Sequence, residues 1–421
     1  MVTTIARRLR CFCWRFFWSL DSRVGKNCRR NGFGNNCHRI ARWRLEIFVL
    51  GSMDRRVGRS RRARDAHQLL VKQSVIEQGD GDNDLDIERA ASLLRSDALV
   101  AFPTETVYGL GGNARSTTAI SRLYAVKSRP TNHPVIVHLA LDAPIDEWAV
   151  RVPDWANVLA QSFWPGPLTL VLPKRPDVLD ALTGGHPSIG LRVPAQKVAQ
   201  ALLKSFGDGV AAPSANRFGR VSPTSASAVV AELGDEIDFV LDGGACSLGV
   251  ESTIVDCTKV SPTILRPGGV TREEIISVLG SAVLVKNADG STPAPGTLST
   301  HYSPQARVVL TTASELSNSI NSESRPDSKG KTHIGLLALA DDLKYFDQTN
   351  SPEVMILNSP INVQQYARVL YESLRTADIN NLAVVIAVLP PSSGLGEAVC
   401  DRLTRATGRA NFGLKSEKII L

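Results

Sequence analysis

Residues 99–111 read LVAFPTETVYGLG. Leu99, Val100, Ala101 and Phe102 form a short apolar run that Pro103 ends, which predicts a strand, because proline cannot donate to a β-ladder. Thr104, Glu105 and Thr106 then read as a polar turn. Upstream, Ile87, Ala90, Ala91 and Leu94 recur at helical spacing, with Asp86 as the expected N-cap after an acidic loop at 78–84. Downstream, 117–126 reads as a helix and 135–137 as a strand. Further strands are expected at 168–172, 209–212 and 239–241, separated by helical stretches at 155–162 and 198–205. Alternation of this kind predicts an α/β domain of about two hundred residues with a mixed sheet.

The chain has 421 residues, 43% hydrophobic and 21% charged, enough for two or three units with real cores. Its net charge of +7 belongs to one end. Residues 1–66 hold sixteen Arg and Lys26 against Asp21, Glu46, Asp54 and Asp65, a balance of +13 that leaves about −6 for 67–421. A whole-protein nucleic-acid surface is therefore not expected of the globular part. The leader also carries Cys11, Cys13, Cys28 and Cys37, at spacings that fit no zinc template. Its apolar patch at 16–20 is too short for a signal-peptide core, and Met53 offers a simpler start that would make 1–52 dispensable. Cys246, Cys257 and Cys400 are too few for a disulfide framework, as expected in a reduced cytoplasm.

Residues 288–304, rich in Pro and Gly, read as a linker. Beyond it strands are expected at 307–310, 334–337 and 354–357. Val363, Tyr366, Ala367, Leu370 and Leu374 mark an amphipathic helix leading to a buried strand at 382–389. That longest apolar run falls far short of the roughly 20 residues of a membrane-spanning helix. Gly394-Leu395-Gly396 and a helix from Glu397 complete a small Rossmann-like domain, although a lone Gly-x-Gly usually just tightens a turn.

Several residues bear chemistry, each with an ordinary structural alternative. Lys127 and Arg129 could clamp phosphate oxygens or simply end a helix. Ser214, Asn216 and Ser222 lie in a loop after an apolar strand, where they could cradle phosphates or merely make turns. Arg192 is a charge on an apolar strand, either at a solvated edge or paired with a carboxylate that an amino-acid substrate could supply. His138 ends the strand at 135–137, and Glu251-Ser252-Thr253 could be a hairpin arm.

Read together and in order, these segments have a family likeness. The series is FPTETVYGLG (102–111), KSRP (127–130), PVIVH (134–138), WPGPLT (164–169), RVP (192–194), APSAN (212–216), SPT (222–224), DGG (242–244), GVEST (249–253) and LRPG (265–268). It resembles the YrdC-like family of threonylcarbamoyl-AMP synthases across 83–280. APG (294–296), HYSP (301–304), GLGEA (394–398) and DRL (401–403) are similar to the linker and C-terminal domain of the family's two-domain branch. The resemblance implies a leader at 1–82 outside the fold and a YrdC-like catalytic domain at 83–287, a twisted mixed sheet with a concave nucleotide site. A linker or lid at 288–304 and a Rossmann-like C-terminal domain at 305–421 follow.

The resemblance also implies an activity: L-threonine, bicarbonate and ATP combine to threonylcarbamoyl-AMP and pyrophosphate, for modification of tRNA. Thr106, His138, Arg192, Ala212 and Ser252 would meet threonine. Lys127, Arg129, His133, Ser188, Ser214, Asn216, Ser222, Arg266, Ser299 and His301 would line the ATP site, with Lys127 and Arg129 central to catalysis. His133 departs from the family's usual Asn, and Ser299 from a frequent Tyr. Mg2+ would arrive with ATP, with no prosthetic group and no protein metal ligands. A tRNA threonylcarbamoyl transferase would take the product in the cytoplasm, with weak double-stranded-RNA binding as a secondary property. One rival reading is a double-stranded-RNA-binding or ribosome-associated module. Another, a hydrogenase-maturation carbamoyltransferase, lacks its expected zinc-binding Cys repeats here.

Overall fold

The computed structural model describes residues 77–280, 284–285, 295, 302–324, 333–346 and 354–408. The basic leader, Met53, Ser299 and His301 lie outside the described residues.

The larger sheet contains β1 (Glu77–Asp80), β2 (Val100–Phe102), β3 (Gly109–Asn113), β4 (Ile136–His138), β5 (Leu168–Pro173), β6 (Ser188–Arg192), β7 (Val210–Ala211), β8 (Phe239–Asp242), β9 (Thr253–Asp256), β10 (Thr263–Arg266) and β11 (Leu284–Val285). Its order is β1-β8-β2-β3-β7-β4-β6-β5-β9-β10-β11. Parallel pairing of β4 with β6 is flanked by antiparallel β7 and β5, so the sheet is mixed. The helices of this domain are α1 (Asp84–Arg95), α2 (Thr117–Lys127), α3 (Asp154–Phe163), α4 (Asp180–Thr183), α5 (Lys197–Phe206), α6 (Ala226–Leu233) and α7 (Arg272–Leu279).

The apolar run at 99–102 is explained by burial on both faces. Leu99 and Ala101 join the core that contains Ile120, Leu170 and Leu191. Val100 and Phe102 point the opposite way, into a core built on α1 and α5 with Leu94 and Leu202. Two expectations are corrected here. The segment expected as an acidic loop begins with β1, whose Glu77 to Asp80 pair in parallel with Phe239 to Asp242, so ordered secondary structure among the described residues already begins ahead of 83. Asn83, not Asp86, caps α1: its side chain accepts from the Leu85 amide at 3.1 Å, while the Asp86 carboxylate accepts from the Asp80 amide at 2.8 Å.

The second sheet is wholly parallel. Its strands β12 (Arg307–Thr311), β13 (Ile334–Leu337), β14 (Val354–Asn358) and β15 (Val384–Val388) lie in the order β12-β15-β13-β14. Helices α8 (Leu316–Glu323), α9 (Val363–Ile379) and α10 (Leu395–Ala406) accompany it. Helix α10 starts two residues before the expected Glu397, and Gly396 sits inside it, where a Cβ would lie 1.7 Å from the Pro391 carbonyl oxygen. The glycine permits that close approach, which accounts for the Gly-x-Gly without a nucleotide.

An apolar layer joins the two domains. Val107, Val221 and Val250 pack with Tyr302, Tyr366, Leu370 and Tyr371. Gly249, in the left-handed region at φ +84°, lies so near α9 that a Cβ would meet the Ala367 carbonyl oxygen and the Arg368 Cα at 2.5 Å. No helix among the described residues is long and apolar enough to cross a membrane.

Candidate active site

Strand ends and the loops after them converge on one cavity with about 640 Å³ of atom-free space, part of it open to solvent. His138 ends β4 and Arg192 ends β6, and parallel register sets the two side by side. Thr104 and Thr106 come from the loop after β2. Ala212, Ser214 and Asn216 follow β7, Glu251 and Ser252 precede β9, and Arg266 ends β10. Lys127 closes α2, and Ser128, in the left-handed region at φ +51°, turns the chain so that Arg129 also reaches the cavity. Pro295 and Tyr302, between the domains, complete the lining.

Four cations stand in this wall: Lys127, Arg129, Arg192 and Arg266 are 1%, 8%, 4% and 3% exposed. Lys127 Nζ donates to the Ser214 and Asn216 carbonyl oxygens, and no carboxylate lies within ion-pair distance of it among the described residues. Burial, and then the charge of Arg129, hold its ammonium well below the usual lysine range. Arg129 donates to the Pro134 carbonyl at 2.8 Å and to that of His133 at 3.3 Å. Arg266 donates to the Ser252 carbonyl at 2.8 Å and the Pro295 carbonyl at 2.8 Å. Cations satisfied by carbonyl dipoles rather than by carboxylates keep a strong positive potential, so the cavity suits a polyanion.

Arg192 is arranged differently. It donates to Glu105 Oε1 at 2.7 Å, to Thr106 Oγ1 at 2.9 Å and to the Gly166 carbonyl at 3.3 Å. The carboxylate expected beside it is thus supplied by the protein's own Glu105. A guanidinium carries five N–H groups, so Arg192 retains donors toward the cavity while Glu105 fixes its plane. Beside it, His138 is 3% exposed, and its Nδ1 has no hydrogen-bond partner among the described residues. Burial, and then the charge of Arg192, keep this imidazole well below the usual histidine range, hence neutral. Asn216 likewise has a buried Oδ1 without a partner, while its Nδ2 donates to the Arg217 and Arg220 carbonyls at 2.7 and 2.9 Å. Unsatisfied buried polar atoms at a cavity wall point to a ligand.

Most residues named from the sequence therefore meet at one place: Thr106, Lys127, Arg129, His138, Arg192, Ala212, Ser214, Asn216, Ser252 and Arg266. Three stand apart. Ser222 is fully buried behind the wall, donating to Glu251 at 2.8 Å. Ser188 lines a neighbouring hollow of about 290 Å³ that shares Ile136 and Pro295 with the main cavity. His133 packs its ring edge-on against Phe218 at 5.3 Å and offers its carbonyl to Tyr124 and Arg129.

Sequence reasoning missed Glu251 as a cavity residue, and Tyr371 and Arg402 behind it; Tyr302, a linker aromatic that the sequence offers as cover for a base or phosphate, lines the cavity. Glu251 accepts from Arg402 Nε at 2.7 Å and from the Tyr371 hydroxyl at 2.8 Å. Burial would raise its pKa, but the charges of Arg402 and Arg266 outweigh this and hold it at about 2. The Tyr302 ring stacks on Tyr371 at 5.6 Å, with the Arg402 guanidinium 5.2 Å from the Tyr302 ring centre. One signal was legible: Arg402 falls between Val399, Leu403 and Ala406 on the buried face of an amphipathic helix, where a charge needs a partner.

An α/β domain with a cleft lined by four buried cations, one of them oriented by a neighbouring carboxylate, and a second α/β domain packed behind the cleft wall define an enzyme that handles an anionic nucleotide and a small acid together. Comparison with known proteins narrows the class. Residues 92–268 match the family described as "Telomere recombination", and residues 270–408 match "Threonylcarbamoyl-AMP synthase, C-terminal domain". The threonylcarbamoyl-AMP synthase of Bacillus subtilis is 37% identical over 330 residues, 77% of this chain and 94% of the relative. That of Pyrococcus abyssi is 38% identical over 333 residues, 76% of this chain and 94% of the relative. The solved structure of P. abyssi Sua5 complexed with L-threonine superposes with a TM-score of 0.72 at 35% identity, covering 80% of this chain and 98% of that one. The chain belongs to the threonylcarbamoyl-AMP synthase family, in its two-domain form.

Proposed function

We propose that this chain is an L-threonylcarbamoyladenylate synthase, a nucleotidyltransferase that condenses L-threonine, bicarbonate or CO2 and ATP and releases pyrophosphate. The observation that carries this reading is the segregation of cations around one cavity: Lys127, Arg129 and Arg266 rest on carbonyl oxygens, while Arg192 rests on Glu105. The first group suits a triphosphate. The second suits the threonine carboxylate, with Thr106, His138, Ala212 and Ser252 around it. Neutral His138 can hydrogen-bond the substrate without adding charge.

Threonine's amine combines with CO2 to a carbamate, which attacks the α-phosphorus of ATP and expels pyrophosphate. The protein need supply no nucleophile; it holds two anions in line and neutralises charge that builds on phosphate oxygens. Ser214 and Asn216, held by Lys127, and Ser188 in the adjoining hollow serve the nucleotide. Ser222 contributes through Glu251. Pro295 and Tyr302 support a closing role for the linker. Glu251, the one carboxylate lining the cavity among the described residues, is committed to Arg402, Tyr371 and Ser222, and no cluster of three or more metal-ligating side chains occurs among those residues. On this reading Mg2+ accompanies ATP, coordinated by the phosphate oxygens of the triphosphate. The product passes to a tRNA threonylcarbamoyl transferase in the cytoplasm. Double-stranded RNA is a poor fit for the cavity, since its four cations are buried rather than spread on a face.

The test is pyrophosphate release from ATP with and without L-threonine and bicarbonate, with threonylcarbamoyl-AMP measured in parallel. Release should require both co-substrates; release independent of threonine would refute the reading.

A further inference from the structure

Glu251 belongs to the cavity wall immediately before Ser252, yet its carboxylate is held from the other domain. Oε2 accepts from Arg402 Nε at 2.7 Å and from the Tyr371 hydroxyl at 2.8 Å, and Oε1 accepts from Ser222 at 2.8 Å. Arg402 lies on α10 and Tyr371 on α9. The same guanidinium donates through Nη2 to the Pro267 carbonyl at 3.0 Å, one residue after Arg266. One side chain of the C-terminal domain thus grips both segments that present polar groups to the cavity, 251–252 and 266–267. Those segments are themselves in intimate contact. The Gly269 amide donates to the Glu251 carbonyl at 3.1 Å, and a Cβ on Gly268 would lie 2.4 Å from the Ser252 carbonyl carbon.

We infer that Arg402 is a positioning residue of the active site, which acts through Glu251 and Pro267 to fix where Ser252 and Arg266 meet threonine and nucleotide. The inference rests on the function proposed above. The C-terminal domain is then an integral part of the catalytic apparatus, since the Arg402 side chain is fully buried and Glu251 nearly so, at 0% and 8% exposure. A carboxylate buried there cannot keep its charge without its partner. The groups facing Glu251 are Arg402 on α10, Arg266 on β10, Tyr371 on α9, Tyr302 of the linker and Ser222, while Asp401 pairs with Arg402. Without Arg402, burial prevails over the remaining Arg266 charge and Glu251 binds a proton at higher pH. The ionised form that accepts from Ser222 and Tyr371 is then lost as pH falls through the raised value.

The experiment uses the full chain and follows threonine-dependent pyrophosphate release between about pH 5.5 and 8.5, a window below which many carboxylates protonate. Arg402→Gln should raise the KM for threonine about 30-fold, the effect of breaking a buried charge pair. Its activity should fall on the acid side where the wild type stays flat. Adding Glu251→Gln should abolish that acid-side fall, and Arg402→Lys should restore part of the affinity. Wild-type KM and pH profile in Arg402→Gln would overturn the inference. Should Arg402→Gln not fold, Tyr371→Phe keeps the stacked ring and removes only one donor; an increase in KM of about threefold is expected, and no increase overturns the inference. Hydrogen exchange without ligand separates this from the functional reading. Amides at 252–253 and 268–269 should exchange about tenfold faster in Arg402→Gln than in the wild type; equal rates would overturn the positioning role. Lack of threonine-dependent release by the wild type would instead sink the proposed activity.

Discussion

The eleven-stranded and four-stranded sheets invite opposite guesses about where chemistry lies. The smaller one is parallel, with helices and a Gly-rich strand-to-helix turn, the geometry in which a nucleotide is often sought at the strand ends. Its buried polar side chains are nonetheless few among the described residues: Thr311, Ser373 and Arg402. Thr311 shares a hydrogen bond with Ser319, Ser373 donates to the Val369 carbonyl, and Arg402 faces the other domain. The larger mixed sheet buries Lys127, Arg129, His138, Arg192 and Arg266 together. A cluster of buried cations that mostly lack carboxylate partners, rather than fold resemblance, locates the site, because burying a charge without a protein counter-ion is costly unless a ligand offsets it.

Three substitutions and one control test that contrast. The largest effect is expected of Arg192→Ala, which removes a carboxylate contact in a closed site and should weaken threonine by about 2 to 5 kcal/mol. The KM for ATP should stay near the wild-type value. Because Glu105 loses its partner, part of the damage should appear as a lower melting temperature. Steady-state kinetics with each substrate varied settles the matter, and a collapse of ATP affinity with threonine affinity intact would reverse the assignment.

Gly249→Ala probes the contact between the domains. The new Cβ would meet α9 backbone at 2.5 Å with φ at +84°, so a stability loss of about 3 kcal/mol and a raised threonine KM are expected. Gly244 is the control: its φ is +82° but a Cβ there meets nothing within 4 Å, so its alanine variant should lose only about 1 kcal/mol. Equal melting temperatures for the two variants would show that α9 yields without cost.

The smallest effect is expected of Arg307→Ala on the four-stranded sheet. Its pair with Glu323 is half open to solvent, at 51% and 19% side-chain exposure, and should contribute less than about 1 kcal/mol. Both KM values should remain unchanged. A clear rise in either would mean that the smaller sheet carries ligand chemistry of its own.

Sequence alone determined much of this protein, for physical reasons tied to local pattern. Continuous apolar runs announced strands buried on both faces, as at 99–102 and 384–388, and the spacing of Val363, Tyr366, Ala367 and Leu370 announced α9. The ordered motifs from Phe102 to Gly268 pointed to the family and to the residues that gather in the cavity. Element ends were less legible: Asn83 and Asp86 are equally good caps by type, and only hydrogen bonding in space chose Asn83. The short strand at 77–80 carries no apolar alternation and exists through its pairing with β8. What only the tertiary structure decided is who partners whom across long separations. Glu105 and Arg192 are 87 residues apart, Glu251 and Arg402 are 151 apart. Pairing of charges in a desolvated interior depends on distance and burial, neither of which is written in the spacing of residues along the chain.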